Sequence, residues 1–164
     1  MTRINAGKLS IKKDYEAVDD LINESVLRAP HLTKANRLKV TMPQDIVLVH
    51  VDGKLIVQLI INLLDNAYKH SGENSQVELS AYTEEGNVVF QVSDNGYGID
   101  KSIINSLFEG FVTLPRNTSD KGRGVGLGLS ICKAIADAHE GEITAENTAE
   151  GGATFKFKLP YEEV

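Results

Sequence analysis

The stretch from Leu55 to His70, LIVQLIINLLDNAYKH, limits what this chain can fold into more than any other. Wound as a helix at about 100° per residue, it places Gln58, Asn62, Asp65, Asn66 and Lys69 on one narrow stripe, with His70 at its margin. Most of the other positions are Leu, Ile, Val or Ala. A surface helix would carry a broad polar face, and a core helix none. The fold must therefore bury almost all of this helix and leave a thin polar line uncovered. That line reads either as ligands facing a cleft or as a wet edge that happens to carry amides.

The rest of the composition sets bounds. At 164 residues, with 41% hydrophobic and 24% charged, the chain has the size and make-up of one globular domain with a real core. A net charge of -6 provides no basic footprint, which argues against nucleic acid and anionic membrane surfaces as partners. The one cysteine, Cys132, allows no intrachain disulfide, and its place in LSICKAI suits a buried structural thiol. His31, His50, His70 and His139 are scattered, without zinc-ligand spacing. No apolar run reaches the length of a membrane span, and MTRINAGKLS has no signal-peptide core.

Along the chain, residues 1–13 read as a linker and 14–164 as the domain. Lys8 to Ala17 could hold a short strand. Asp19 is a plausible cap for a helix running to Val26 or Arg28 and ended by Pro30. Leu38 to Met42 and Ile46 to Val51 read as strands, and Asp52-Gly53 caps the central helix. Val77 to Thr83 and Val88 to Ser93 alternate, joined by a hairpin turn at Glu84-Glu85-Gly86-Asn87. Asp94 to Gly128 is Gly-rich and irregular apart from a helical turn or two around Ser102 to Phe108, and so long a stretch is usually functional or mobile. Leu129 to His139 reads as an amphipathic helix, and Glu142 to Asn147 with Ala153 to Leu159 as a closing hairpin around Gly151-Gly152. The order describes an α/β (α+β) two-layer sandwich: a mixed, largely antiparallel sheet packed on about three helices. It is not the strict alternation of a doubly wound fold.

Two glycine clusters carry chemistry. In Asp94-Asn95-Gly96-Tyr97-Gly98 the glycines allow a sharp turn and close approach of a ligand, and the carboxylate could accept from an exocyclic amine. An ordinary Asx turn has the same composition. Gly122-Arg123-Gly124-Val125-Gly126-Leu127-Gly128 leads into the next helix, so free N–H groups and the helix dipole could cradle phosphate. Its spacing is neither a dinucleotide fingerprint nor a P-loop. The alternative is a flexible hinge. Lys101, Arg116, Lys121 and Arg123 between and within these clusters suit a polyphosphate, although any one of them could be solvated loop. Taken together, these parts are what a nucleoside triphosphate with magnesium would need, the amides offering oxygens to a hard cation.

NLLDNAYKHS (Asn62 to Ser71), DNGYGI (Asp94 to Ile99), LFEGF (Leu107 to Phe111), GRGVGLGLSI (Gly122 to Ile131) and GGATF (Gly151 to Phe155), in this order, resemble the N box, first glycine box, F box, second glycine box and closing motif of sensor histidine kinase catalytic domains. These domains belong to the Bergerat-fold, GHKL ATPase superfamily. The phrasing looks most like the potassium-sensing Kdp-type kinases. The resemblance implies that Asn66 ligates Mg2+ and that Asn62 supports the metal and the phosphates. Lys69 would contact phosphate, and His70 would add a contact. Asp94 would bind the adenine amine, Thr154 would help through water, and Gly96, Gly98 and Ile99 would shape that pocket. Gly124, Gly126 and Gly128, with Val125, Leu127 and Leu129 around them, would cradle the phosphates. Phe108 and Phe111 would hinge a lid, and Arg116 or Arg123 would stand in for the arginine that many relatives place after the F box.

The implied activity is transfer of the ATP γ-phosphoryl group to a histidine, with ATP and Mg2+ as cofactors. Hydrolysing relatives carry a glutamate where this chain has Asn62, which favours transfer over hydrolysis. None of the four histidines has the phosphoacceptor context, and RINAGKLSI looks like the exit from the dimerisation helices. The expected partners are therefore the dimerisation, histidine-bearing domain of the same full-length kinase and a response regulator, with this domain alone a monomer. The expected setting is the cytoplasmic part of a membrane-bound sensor. An anti-sigma-factor-type serine kinase and a non-catalytic nucleotide-sensing module share the same boxes.

Overall fold

The computed structural model describes residues 4–5, 8–34, 37–72, 74–108 and 119–161. In chain order these form β1 (Ile4–Asn5), β2 (Lys8–Leu9), β3 (Asp14–Ala17), α1 (Val18–Leu27), α2 (Pro30–Lys34), β4 (Leu38–Thr41), β5 (Leu48–Val51) and α3 (Gly53–His70). There follow β6 (Val77–Glu84), β7 (Asn87–Asp94), a single 3-10 turn (Ile104–Ser106), α4 (Ser119–Ala138), β8 (Glu142–Asn147) and β9 (Ala153–Pro160). Five strands make the main sheet in the order β4–β6–β7–β9–β8, with β4 parallel to β6 and the other pairs antiparallel. Strands β3 and β5 form a separate antiparallel pair. The expected α/β sandwich is what the chain builds.

Helix α3 is its centre. It packs on α1 and α4 and lies against β6 and β7. Eight of its residues are buried: Leu55, Ile56, Val57, Leu59, Ile60, Leu63, Leu64 and Ala67. Each fully buried Leu, Ile or Val contributes about 1.5–3 kcal/mol relative to exposure, so this helix holds the layers together. The sheet answers with alternation: Val77, Leu79 and Ala81 of β6 are buried while Glu78, Ser80 and Tyr82 are less so. Phe90 and Phe157 face each other across β7 and β9 with ring centroids 6.0 Å apart.

Both ends of α3 are fastened. Asp52 is its N-cap, accepting from the Leu55 N–H at 3.4 Å, as the sequence suggested. The other Asp52 oxygen accepts from the Lys12 N–H at 3.0 Å, and the Asp52 N–H donates to His139 Nε2 at 3.0 Å. His139 Nδ1 sits 2.8 Å from the Ile135 carbonyl, which selects the Nδ1–H tautomer. Burial lowers the His139 pKa, partly offset by the Ile135 carbonyl. At the other end, buried Arg37 donates from Nε to the Ser75 carbonyl at 2.8 Å and from Nη2 to the Gly72 carbonyl at 2.7 Å.

Three local expectations need correcting. The cap of α1 is Ala17 without a side-chain bond, and Asp19 lies inside the first turn, where a carboxylate favours the helix dipole. Pro30 does not merely stop a helix but opens α2, since its fixed φ suits a first helical position. The third correction is larger. Helix α4 begins at Ser119, not Leu129, so the backbone of the whole glycine run is helical. Each glycine costs about 1 kcal/mol against alanine in a helix. That is a cost and not a prohibition, and extension from an existing helix adds one hydrogen bond per residue.

Candidate nucleotide site

Lining a cavity of about 80 Å3 are Asn62, Asp65, Asn66, Lys69 and His70 of α3, closed by Gly128 and Leu129 of α4. Most of the polar stripe thus faces α4 across a small space. The space suits an ion and a few oxygens rather than a whole nucleotide, since ligand pockets usually run to about 300–1,000 Å3.

The two asparagines are not equivalent. Asn66 Oδ1 is buried and has no hydrogen-bond partner. An orphaned carboxamide oxygen is costly unless something binds it, and it is the donor type a hard cation takes. The site therefore fits Mg2+ at this atom. Asn62 Oδ1 is already engaged, accepting from Gln58 Nε2 at 2.9 Å, and its buried atom without a partner is Nδ2. Asp65 is held from α2, with His31 Nε2 3.4 Å away. Lys69 is exposed. Across the interface, burial pushes the Cys132 thiol up to about 12, and the Asn62 amide offsets part of that shift. A thiol so placed is structural, as its apolar context suggested.

The Asp94 turn adjoins the end of α3. Asp94 closes β7, one position past the Ser93–Thr154 pair of β7 and β9. Its carboxylate accepts from the Gly96 N–H at 2.8 Å, and burial raises its pKa against the opposing hydrogen bonds from Gly96 and Ala153. Buried Thr154 carries its hydroxyl 3.0 Å from that of Ser93. Gly96 sits directly on the chain leaving α3, where any Cβ would run into the Ser71 backbone. Gly98 has φ +80° and its Cβ would lie 2.6 Å from the Gly151 carbonyl. The Ile99 N–H donates to Asn147 Oδ1 at 2.6 Å, tying the turn to the β8 end. Phe108 packs edge-on to Phe155, with centroids 6.3 Å apart, so this part of the F box rests on the core.

The Asp94 turn thus lies against the end of the helix that carries the amides, and the glycine run lies within α4. With Gly124, Gly126 and Gly128 inside α4, their N–H groups serve the helix, and the free donors of a first turn belong to 119–122. The backbones of Arg123, Val125 and Leu127 share this helix. Phe111 and Arg116 lie outside the described residues. Sequence reasoning missed Arg37 and Asn147. Arg37 had one weak signal, a basic residue beside a strand of alternating apolar positions, and Asn147 had none. Gln58 was placed on the polar stripe but given no role, and it is bonded to Asn62.

Residues 51–163 match the family model described as histidine kinase-, DNA gyrase B-, and HSP90-like ATPase. Sensor protein KdpD of Clostridium acetobutylicum is 46% identical over 162 residues, covering 99% of this chain. The chain spans 18% of that relative's length. Among solved structures, the nucleotide-free catalytic domain of histidine kinase ThkA is 29% identical with a TM-score of 0.78, covering 92% of this chain and 97% of that one. ThkA in complex with response regulator protein TrrA is 28% identical with a TM-score of 0.73, covering 92% of this chain and 42% of that one.

Proposed function

The chain belongs to the histidine kinase-, DNA gyrase B- and HSP90-like ATPase family, and from that footing we propose that it is the ATP-binding catalytic domain of a Kdp-type two-component sensor histidine kinase. It transfers the γ-phosphoryl group of ATP to a histidine on a separate dimerisation domain of the same protein, which then serves a response regulator. Residues 1–13 lead from that dimerisation domain. The whole protein works at the cytoplasmic face of a membrane. No helix among the described residues is itself long and apolar enough to cross one.

One observation carries this reading: the buried, partnerless Asn66 oxygen in a cavity shared with Lys69. Mg2+ held there, in a shell completed by water and phosphate oxygens, would neutralise charge on the transferring group. Lys69 and His70 flank the phosphates. Asp94, desolvated and aimed from the end of β7, gains most from a donor such as the adenine amine. Thr154, paired with Ser93 one position before Asp94, would help through water. For the phosphates to reach the glycine backbone, the first turns of α4 must unwind, and four glycines at 122, 124, 126 and 128 keep that cost low. By the resemblance, Phe108 and Phe111 would hinge a lid and Arg116 or Arg123 would supply its cation.

Asn62 cannot take a proton from water, because its amide is neutral and not basic. The accepting imidazole needs no strong base, being nucleophilic when neutral. The test mixes this chain with Mg2+, γ-labelled ATP and the histidine-bearing helical domain of the full-length protein. Acid-labile label on histidine is expected, with very slow hydrolysis in the absence of the acceptor. Acid-stable label on serine would assign a serine kinase, binding without transfer a sensing module, and rapid steady-state ATPase activity would overturn the assignment of Asn62.

A further inference from the structure

The chain leaving α3 is held by a buried guanidinium to which the proposed reaction gives no part. Arg37, just ahead of β4, donates from Nε to the Ser75 carbonyl at 2.8 Å. Its Nη2 donates to the Gly72 carbonyl at 2.7 Å and to Ser71 Oγ at 3.3 Å. The same guanidinium lies over the ring of Tyr68 in the last turn of α3, 5.0 Å from its centroid. The Arg37 backbone is fixed as well: its N–H donates to the Leu32 carbonyl at 3.0 Å, and its carbonyl accepts from the Val77 N–H at 2.7 Å. A buried cation is tolerated where acceptors surround it, so these groups are held to the shape of its fork.

The groups that answer to Arg37 are also those on which the Asp94 turn rests. Val77 stands opposite Asp94 in the β6–β7 register. One position on, the Gln76 N–H donates to Asn95 Oδ1 at 2.7 Å, and the Asn95 N–H donates to the Gln76 carbonyl at 3.3 Å. Gly96 then lies directly against the Ser71 backbone. We propose that Arg37 is a positioning residue for the base: through residues 71–77 it sets where the Asp94 turn stands, and with it how strongly the site prefers adenine. The proposal rests on the nucleotide-binding reading above. A hydrogen bond from an exocyclic amine to the Asp94 carboxylate weakens steeply with misalignment, so a small shift of the turn is felt there first. The phosphate side depends on Arg37 less, because Asn62 and Asn66 stand on the body of α3, which its buried face fixes.

Calorimetry with ADP and with inosine diphosphate, in which a carbonyl replaces the exocyclic amine, tests this in the presence of Mg2+. The wild type should favour ADP by about 10-fold or more, the worth of a hydrogen bond to a charged group. Arg37→Lys keeps the charge but cannot span Ser75 and Gly72 with one ammonium. It should lower that preference by about 5-fold, through ADP and not through inosine diphosphate. Asn95 is exposed, so Asn95→Ala breaks the tie to Gln76 without opening the core, and it should lower the preference in the same direction by about 3-fold. It decides the matter alone if the urea midpoint shows Arg37→Lys to be unfolded. In an Asp94→Asn background Arg37→Lys should leave the preference unchanged, because the carboxylate it acts through is gone. Equal weakening of both nucleotides would reduce Arg37 to general support of the fold. That result, a wild-type preference in either variant, or the same loss without Asp94 would overturn the positioning role. A wild-type chain that binds neither nucleotide would overturn the nucleotide reading itself, and one that binds both equally the base contact of Asp94, this role falling with either.

Discussion

At the Asp94 corner a methyl group on Gly96 would run into the Ser71 backbone and one on Gly98 into the Gly151 carbonyl, whereas on Gly128 of α4 it would meet nothing within 4 Å. Both clusters look alike in sequence, glycines alternating with single residues and cations nearby. In the first, glycine is required by space, because two backbones meet with no room for a side chain. In the second, space imposes no such demand at Gly128, and what glycine does there is weaken a helix. The first corner is closely packed backbone on backbone. The second is a helix whose starting turns are cheap to unwind.

Gly96→Ala tests the difference most severely. The obstacle is backbone, which cannot swing aside, so overpacking should cost about 3 kcal/mol, read as a lower urea midpoint, and abolish ATP binding. A variant as stable as wild type would remove the distinction between the two clusters. Asp94→Asn should act on binding instead. Loss of a charged acceptor should weaken ATP by about 1.5–3 kcal/mol in calorimetry. Stability at neutral pH should not fall, and the sign follows from burial. The folded carboxyl holds its proton above the ordinary 3.8, so its ionisation opposes folding as pH rises through that window and beyond. A destabilised Asp94→Asn would show that the carboxylate is a structural cap.

Gly128→Ala should do the reverse of Gly96→Ala. With open space around it, alanine should stabilise the domain by about 1 kcal/mol and, if binding requires the turns to unwind, weaken ATP by a similar free energy. Tighter binding would mean that the helical form is the one that receives phosphate. The smallest effect concerns the opposite end of α4, where neutral His139 accepts from the Asp52 N–H. Its pKa is lowered below 6.5, so the unfolded chain binds the proton first and stability is full only above that value. As pH falls from 6.5 towards the folded pKa, stability should drop by at most about 1.4 kcal/mol per pH unit. His139→Gln should flatten that slope in urea titrations at a series of pH values. An unchanged slope would place the acid sensitivity elsewhere.

Much of this was legible without coordinates. The period of the Leu55–His70 stripe is local, so a one-dimensional pattern could identify a buried helix with a polar line, and alternation could identify β6, β7, β8 and β9. The asparagine pair and Asp94 could be named because their chemistry is carried by residue type, and Thr154 only through the resemblance of GGATF to the family's closing motif. Other features were decided in three dimensions. Whether GRGVGLG is loop or helix depends on a balance of about 1 kcal/mol per glycine against cooperative extension, which composition does not resolve. That Arg37 pins the end of α3, or that Gln58 occupies the Asn62 oxygen, depends on which atoms the packed layers bring within about 3 Å. The sequence by itself determined the polar line on the central helix and the chemistry it could offer. Only the tertiary structure decided which amide oxygen was left free, because hydrogen bonds are settled by partners that sequence distance does not reveal.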